Sequence, residues 1–202
     1  MNTLEKRIID LSYKHGLTHI SSCLTTLPAL EDIYRVKEPN DEVVLGNSHS
    51  ALALYVLLEE KGVNAEDLIK RMGTHAERSL KDGIFVSGGS LGQAETVAVG
   101  MALADRSRTV YLVTSDGACA EGSVWEALRI AGDFRLENLR VSVIANGYSA
   151  YGRIDLDDLE RRLKTFYPVL FYRVNLFDYP DFLQGIDGHY VKLDEEKYKE
   201  IK

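Results

Sequence analysis

Two apolar segments joined by one helix constrain the fold of this chain more than any other feature of its sequence. The segments TVYLVTSDG (109–117) and LRVSVIAN (139–146) read as strands without polar alternation, which is typical of strands buried on both faces. Between them, GSVWEALRIAGDF (122–134) reads as a helix, and the three segments make a β-α-β unit. The sequence therefore predicts an α/β fold in which a mainly parallel sheet is flanked by helices on both faces.

Polar residues follow both of these strands at the point where each one ends. Asp116 comes after the first strand and Asn146 after the second. Because ligands of parallel sheets gather at the carboxyl ends of the strands, we expect both residues at one rim. Carboxylate and amide oxygens suit Mg²⁺, with Ca²⁺ as a possible substitute, and Mg²⁺ commonly completes its shell with phosphate oxygens. Gly117 and the following helix N-terminus favour a diphosphate beside the metal. The alternative is that Ser115-Asp116-Gly117 is only a turn and Asn146 an ordinary loop residue.

The remaining segments read as further helices and strands of one domain over residues 1–202. Gly16 is a plausible stop for the first helix, and Asn64 a cap for the fourth. Proline favours a first helical turn, so the second helix is expected to start near Leu27-Pro28. The predicted helices span 3–14, 50–62, 65–72, 94–105 and 155–166, the further strands 42–45 and 169–174, and a loop 147–153.

The net charge and the cysteines limit which partners the chain is expected to bind and in which compartment it is expected to lie. The formal net charge of -7 gives no general electrostatic reason to bind nucleic acid or an anionic membrane. The sequence shows neither a signal peptide nor an apolar run of the roughly 18 residues that a membrane span needs, so a cytoplasmic location is expected. In that compartment Cys23 and Cys119 are expected to be reduced and packed as small apolar groups.

The segment from Ser115 to Asn146 resembles the cofactor motif of thiamine diphosphate enzymes. That motif is GDG followed by an asparagine at the distance that separates Asp116 from Asn146 here. Its interior, AEGSVWEAL followed by LENL, is similar to the transketolase branch in particular. Ser115 replaces the first glycine, and Ile144 stands where transketolases often have an aspartate. The resemblance implies that Asp116, Asn146 and the backbone carbonyl of Tyr148 bind Mg²⁺.

Three more segments resemble transketolase motifs in the same order. THISSCLTTLPALEDIY is similar to GHxGxxLS, GNSHSALALY to SxGHxxxxLY, and SGGSLGQAETVAVGMALA to TGSLGQGxxxAxGMAxA. A lone histidine is more often structural than functional. The resemblance, however, implies that His19 and His49 face the cofactor and substrate, with His49 near the diphosphate. His75 is expected to line the same channel, and all three histidines are catalytic candidates.

The resemblance extends to further cofactor contacts. It implies that Gly89 and Leu91 touch the central part of the cofactor, and the alternative is a turn glycine and a core leucine. Glu121 matches a glutamate that links two active sites across an interface, although a glutamate at a helix start needs no such role. His189, in a DGH turn, is assigned a structural role, and Trp125 and Tyr151 are interpreted as packing groups.

The implied activity is transfer of a two-carbon ketol unit between sugar phosphates. Family members hold thiamine diphosphate between two domains, and the pyrimidine-binding domain has no counterpart in these residues. The resemblance therefore implies a separately encoded pyrimidine-domain partner and self-association across the cofactor interface. Alternatives are a subunit of a deoxyxylulose phosphate synthase-like or 2-oxo acid decarboxylating enzyme, or a non-catalytic binding domain.

Overall fold

A sheet of four parallel strands lies at the centre of the computed structural model, which describes residues 1–149, 151–175 and 179–202. The strand order is β1 (Glu42–Leu45), β2 (Val110–Ser115), β3 (Leu139–Ala145) and β6 (Val169–Arg173). All three neighbouring pairs are parallel, with Val44 opposite Leu112 and Leu112 opposite Val141. The predicted parallel sheet is confirmed.

Helices cover both faces of the sheet. Along β1, Val43 and Leu45 point into one core with the helices of the N-terminal half, whereas Val44 points into the other. This alternation follows from the period of two in a strand, and it explains why both faces of the strands are largely apolar, with Thr114 and Ser142 as buried exceptions. The helices are α1 (Thr3–His15), α2 (Ile20–Val36), α3 (Ala51–Glu59), α4 (Ala65–Met72), α5 (Gln93–Ala104), α6 (Gly122–Asp133), α7 (Leu156–Phe166), α8 (Gly185–His189) and α9 (Glu195–Ile201).

Side-chain caps define several helix ends, as the sequence predicts. Gly16 ends α1 in the left-handed conformation, with φ of 61°. The Asn64 side chain accepts a hydrogen bond from the backbone N–H of Asp67 at the start of α4, and Asp155 caps α7 in the same way. The two side-chain caps satisfy N–H groups that have no partner inside their helices, whereas the N–H of Gly16 donates to carbonyl oxygens in the last turn of α1. Within the part of the chain that the structure describes, none of the helices is long and apolar enough to cross a lipid bilayer.

Helix α2 starts earlier than the sequence predicts. It begins at Ile20, and Pro28 lies in its interior rather than in its first turn, so the predicted start near Leu27-Pro28 was wrong. A proline in a helix interior costs about 3 kcal/mol. Leu24, Leu27 and Leu30 are completely buried along this helix, and burying each one stabilises the fold by roughly 1.5–3 kcal/mol. Burial therefore outweighs the local preference of proline.

The segment after β3 contains a short antiparallel pair rather than only a loop. Tyr148–Ser149 (β4) pairs with Gly152–Arg153 (β5), and Ala150 between them lies outside the described residues. Gly147 enters this pair with φ of 86°, a conformation that suits glycine. The pair brings the backbone of Tyr148 back towards the carboxyl end of β2.

Two helical glycines should respond in opposite directions to substitution by alanine. A Cβ at Gly132 would lie 2.6 Å from the carbonyl oxygen of Phe166, whereas a Cβ at Gly100 would meet nothing within 4 Å. Gly132→Ala should therefore lower the free energy of unfolding by about 1–3 kcal/mol through overpacking. Gly100→Ala should raise it by about 0.5–1 kcal/mol because alanine favours the helix. Denaturant unfolding of both variants checks this, and a shift in the same direction for both would contradict it.

Candidate active site

A cavity of about 330 Å³ opens at the carboxyl ends of the parallel strands. Its floor is built from the residues that follow β1, β2 and β3, and its walls from the start of α2 and from α8. This is where ligands of parallel sheets bind. The lining residues are His19, Ser21, Ser22, Thr25, Asn47, His49, His75, Gly89, Leu91, Ser115, Asp116, Gly117, Ile144, Asn146, Tyr148, Ser149, Gly185, Ile186, His189 and Tyr190.

The carboxylate of Asp116 joins the loops that follow β2 and β3. The side chain is only 2% exposed. Its Oδ1 accepts a hydrogen bond from the N–H of Gly117 at 2.9 Å, and its Oδ2 accepts from the N–H groups of Asn146 at 2.8 Å and Gly147 at 2.7 Å. Burial raises the pKa of Asp116 to about 6, and the three backbone hydrogen bonds oppose that rise. Asp116 and Asn146 thus lie at the same rim, as the sequence predicts.

The oxygen atoms around Asp116 fit a hard cation. Asn146 Oδ1 accepts from the N–H of Tyr148 at 3.0 Å, and the Tyr148 carbonyl oxygen lies 3.6 Å from the position that a Cβ on Gly117 would take. A carboxylate, an amide and a carbonyl oxygen are ligands that Mg²⁺ accepts. In the described part of the chain, no three His, Cys, Asp or Glu side chains form a metal-binding group, so this donor set depends on a single carboxylate.

The rings of four histidines meet on the other side of the cavity. The centroid of the His19 ring lies 5.2 Å from that of His49, 6.0 Å from that of His75 and 4.1 Å from that of His189. Burial, together with the neighbouring histidines, lowers the pKa of His19 to about 4 and that of His49 to about 3. Both rings are therefore neutral near pH 7, and each can donate one hydrogen bond and accept another.

The backbone of His19 fixes the position of this histidine cluster. His19 precedes α2 with φ of 62°, a left-handed conformation that is uncommon outside glycine. Its N–H donates to the carbonyl oxygen of His189 at 2.9 Å, and the hydroxyl of Ser22 lies 3.3 Å from Nδ1 of His189. Backbone strain of this kind persists where surrounding contacts hold it, often at functional sites. Here α8 supplies those contacts.

The structure brings most of the predicted site residues to the cavity. Gly89 lines it with φ of 123°, and a Cβ there would lie 3.8 Å from the ring of His75. Glu121 does not line the cavity, and it accepts a hydrogen bond from the hydroxyl of Tyr151 at 3.2 Å. Tyr151 is 78% exposed, so its interpretation as a packing group was wrong. Trp125 does pack, with its Nε1–H donating to the carbonyl of Cys119 at 2.8 Å.

Other lining residues were not among the predicted ones. His189 reaches the cavity because α8 folds against the start of α2, and the DGH sequence was its one visible signal. Asn47 is buried, and its Nδ2 donates to the hydroxyls of Thr26 and Ser50. The sequence GNSHS gives no local signal that distinguishes Asn47 from an ordinary turn residue.

Both cysteines, Cys23 and Cys119, are buried and free, as expected.

Comparison with known proteins places these features in one family. Residues 37–169 match the family model described as transketolase, thiamine diphosphate binding domain. A 6-deoxy-6-sulfo-D-fructose transketolase subunit of Clostridium sp. strain MSTE9 is 31% identical over 93% of this chain and 73% of its own length. An apulose-4-phosphate transketolase subunit of Phocaeicola vulgatus is 34% identical over 66% of this chain and 55% of its own length.

Solved structures agree on the fold. A transketolase from Leishmania mexicana superposes with a TM-score of 0.69 at 21% identity, over 86% of this chain and 37% of its own. A transketolase from Campylobacter jejuni covers 99% of this chain and 43% of its own, with a TM-score of 0.65 and 21% identity. This chain therefore spans well under half of these longer transketolases.

The buried histidines should make the stability of the protein depend on pH. Because the pKa of His49 falls from 6.5 to about 3 on folding, the unfolded chain takes up a proton below pH 6.5 that the folded protein does not. Above pH 6.5 neither state takes up this proton, so the free energy of unfolding does not depend on the titration of His49. Below pH 6.5 the free energy of unfolding should fall by about 1.4 kcal/mol for each pH unit, down to about pH 3.

Denaturant unfolding of the native protein and of His49→Gln between pH 7 and pH 5 checks this expectation. The variant should lose less stability on acidification than the native protein. Identical slopes of the free energy of unfolding against pH would contradict it.

Proposed function

This chain belongs to the transketolase family, through its thiamine diphosphate-binding domain, and on that premise we propose that it is the N-terminal subunit of a split transketolase. In this proposal residues 1–202 act as one diphosphate-binding domain in the cytoplasm. The observation that carries the proposal is the buried carboxylate of Asp116, which lies beside Asn146 and the carbonyl of Tyr148 with no Lys or Arg in the cavity lining of the described residues. A bound cation would balance this charge.

The residues at the strand ends would hold the metal and the cofactor diphosphate. Asp116, Asn146 and the carbonyl oxygen of Tyr148 would bind Mg²⁺, with Ca²⁺ as a possible substitute. Gly117 leaves space for a phosphate to approach the backbone, and His49 would lie near the same diphosphate. Gly89 and Leu91 would contact the central part of the cofactor. When bound, thiamine diphosphate supplies the carbanion chemistry of two-carbon ketol transfer.

The histidines would bind the sugar. His19, His49 and His75 line the cavity, and neutral imidazole rings can donate a hydrogen bond to a carbonyl oxygen or accept one from a hydroxyl. Their lowered pKa values keep the rings of His19 and His49 neutral at pH 7, so each ring can accept a hydrogen bond from a sugar hydroxyl, although its low basicity makes it a weak proton acceptor. A proton on a ketose hydroxyl could pass to such a ring nitrogen and return from it.

A second chain would complete the active site. The names of the two subunit relatives describe ketoses with a sulfonate or a phosphate group, and the described lining of this cavity offers no Lys or Arg for such an anion. The partner would therefore bind the anionic end of a sugar phosphate and supply the pyrimidine-binding domain. Two such pairs would associate across the cofactor interface, where Glu121 would contribute.

Titration calorimetry with thiamine diphosphate tests the cofactor site. The native chain, with the pyrimidine-domain subunit present, should bind the cofactor with Mg²⁺ and lose affinity after chelation of the metal. Asp116→Ala should weaken binding by at least about 100-fold, because it removes the charged metal ligand. Asp157→Ala is the matched control, since Asp157 lies on α7 and is largely exposed. Binding that is independent of Mg²⁺, or equal in both variants, would overturn the proposal.

The donor specificity of the assembled enzyme separates the proposed reaction from its alternatives. A transketolase should transfer a two-carbon unit from a ketose phosphate to an aldose without releasing CO₂. Product analysis with ketose and 2-oxo acid donors measures this difference directly. Release of CO₂ from a 2-oxo acid would instead favour the deoxyxylulose phosphate synthase-like or decarboxylating alternative, and cofactor binding without turnover of either donor class would favour a non-catalytic domain.

A further inference from the structure

A completely buried glutamate lies beneath the cavity, on a helix that the proposed mechanism does not use. Glu95 is the third residue of α5 and is 0% exposed. Its Oε1 accepts a hydrogen bond from the hydroxyl of Thr114, whereas its Oε2 has no hydrogen-bond partner among the described residues. Glutamate is almost never fully buried unless it is paired. The fold therefore retains a polar group here at a cost in stability.

The position of this carboxyl connects the ends of β1 and β2. A Cβ on Gly46, the residue after β1, would lie 2.6 Å from Glu95 Oε1 and 3.2 Å from the Cβ of Thr114. The N–H of Gly46 also donates to the carbonyl of Val113 at 2.7 Å. Only glycine leaves room for the carboxyl at this point. Gly46, Glu95 and Thr114 thus form a close-packed unit, which we call the strand-end clamp.

The residues that follow the strand-end clamp are those of the candidate site. Asn47 comes directly after Gly46 and leads to His49, while Ser115 comes directly after Thr114 and leads to Asp116. All four residues line the cavity. A shift of Thr114 relative to Gly46 would therefore change the distance between the histidine side and the metal side of the cavity.

An apolar side chain at this position would remove the unpaired carboxylate oxygen, but it would also leave the buried hydroxyl of Thr114 without its acceptor. The neighbours of Glu95 on the buried face of α5 are Ala94 and Ala98, and this face packs in an otherwise apolar core. Where a local rule is broken in a well-packed core, the position is expected to serve function rather than stability. An ordinary glutamate at a helix start is exposed to solvent, whereas Glu95 is buried.

We propose that Glu95 is a positioning residue of the cofactor site: through Thr114, its carboxyl fixes the ends of β1 and β2 at the separation that thiamine diphosphate and Mg²⁺ require. This inference rests on the proposed function. Burial raises the pKa of the Glu95 carboxyl, and the Thr114 hydrogen bond opposes that rise. The nearby titratable group is the Cys119 thiol, whose pKa is raised first by burial and then by the charge of Glu95.

Three variants separate positioning from a general structural role. Glu95→Leu removes the acceptor of the Thr114 hydrogen bond and introduces an apolar side chain of similar size. Glu95→Gln keeps an acceptor for the Thr114 hydroxyl. Glu126→Leu is the matched control, because Glu126 is an exposed glutamate on α6. Three quantities are measured for each variant: thermal stability, amide hydrogen exchange of Gly46 and Asp116, and the affinity for thiamine diphosphate with Mg²⁺ in the complex with the partner subunit.

The expected pattern is local loosening around the strand-end clamp. Glu95→Leu should still unfold cooperatively, with exchange at amides far from the strand-end clamp within about twofold of native, yet its Gly46 and Asp116 amides should exchange at least tenfold faster and it should bind the cofactor at least tenfold more weakly. Glu95→Gln and Glu126→Leu should stay within about twofold of native exchange and affinity. Native exchange at both amides in Glu95→Leu, or faster exchange spread evenly over the chain, would overturn the proposal.

A second pair of variants covers the case in which Glu95→Leu does not fold. Thr114→Val removes the hydroxyl from the other side of the strand-end clamp, and Thr114→Ser restores it. Faster exchange at Gly46 and Asp116 in the valine variant, with recovery in the serine variant, supports the proposal, and equal exchange in both overturns it. Absence of Mg²⁺-dependent binding by the native complex would instead overturn the proposed function, since the exchange measurements do not depend on the cofactor.

Discussion

The hydrogen bonds that Asp116 accepts from three backbone N–H groups are the interaction on which the rest of the site depends. They join the loop after β2 to the loop after β3, and they hold a buried carboxylate whose charge is disfavoured by burial and is offset by no Lys or Arg in the described cavity lining. The parallel sheet makes this arrangement possible because it presents both loops at one edge. An apolar residue at position 116 would avoid the cost of burying a charge, but it would also remove the ligand that attracts a cation.

The two sides of the cavity are held by different means. Backbone hydrogen bonds to a carboxylate hold the metal side, whereas the histidine side depends on the left-handed conformation of His19 and its hydrogen bond to the His189 carbonyl. Burial, and after it the positive charge that neighbouring rings would carry, lowers the pKa of His19 and of His49. Neutral imidazoles and a charged carboxylate therefore share one cavity without forming ion pairs, which leaves both available to ligands.

The sequence predicts the parts of this structure that local rules determine. Continuous apolar strands, the cap at Asn64 and the shared rim of Asp116 and Asn146 all follow from neighbouring residues and from the topology of parallel strands. The start of α2 did not follow from neighbouring residues, because the burial of its leucines outweighs the preference of proline for a first helical turn. The place of His189 in the cavity and the burial of Glu95 did not follow either: both depend on packing between distant segments, and Glu95 has the local pattern of an ordinary exposed glutamate at a helix start.

The contact between α8 and the start of α2 has a consequence for biosynthesis. Ser22 and His189 are 167 positions apart in the chain, yet their side chains meet at the cavity. During translation the N-terminal helices and the sheet can form while the ribosome is still adding residues, since domains fold progressively from the N-terminus. The wall that α8 contributes forms later, because its residues emerge after those of the sheet. A nascent chain therefore carries an incomplete cavity until α8 has emerged, so the capacity to enclose a ligand arises only after the sheet has been synthesised.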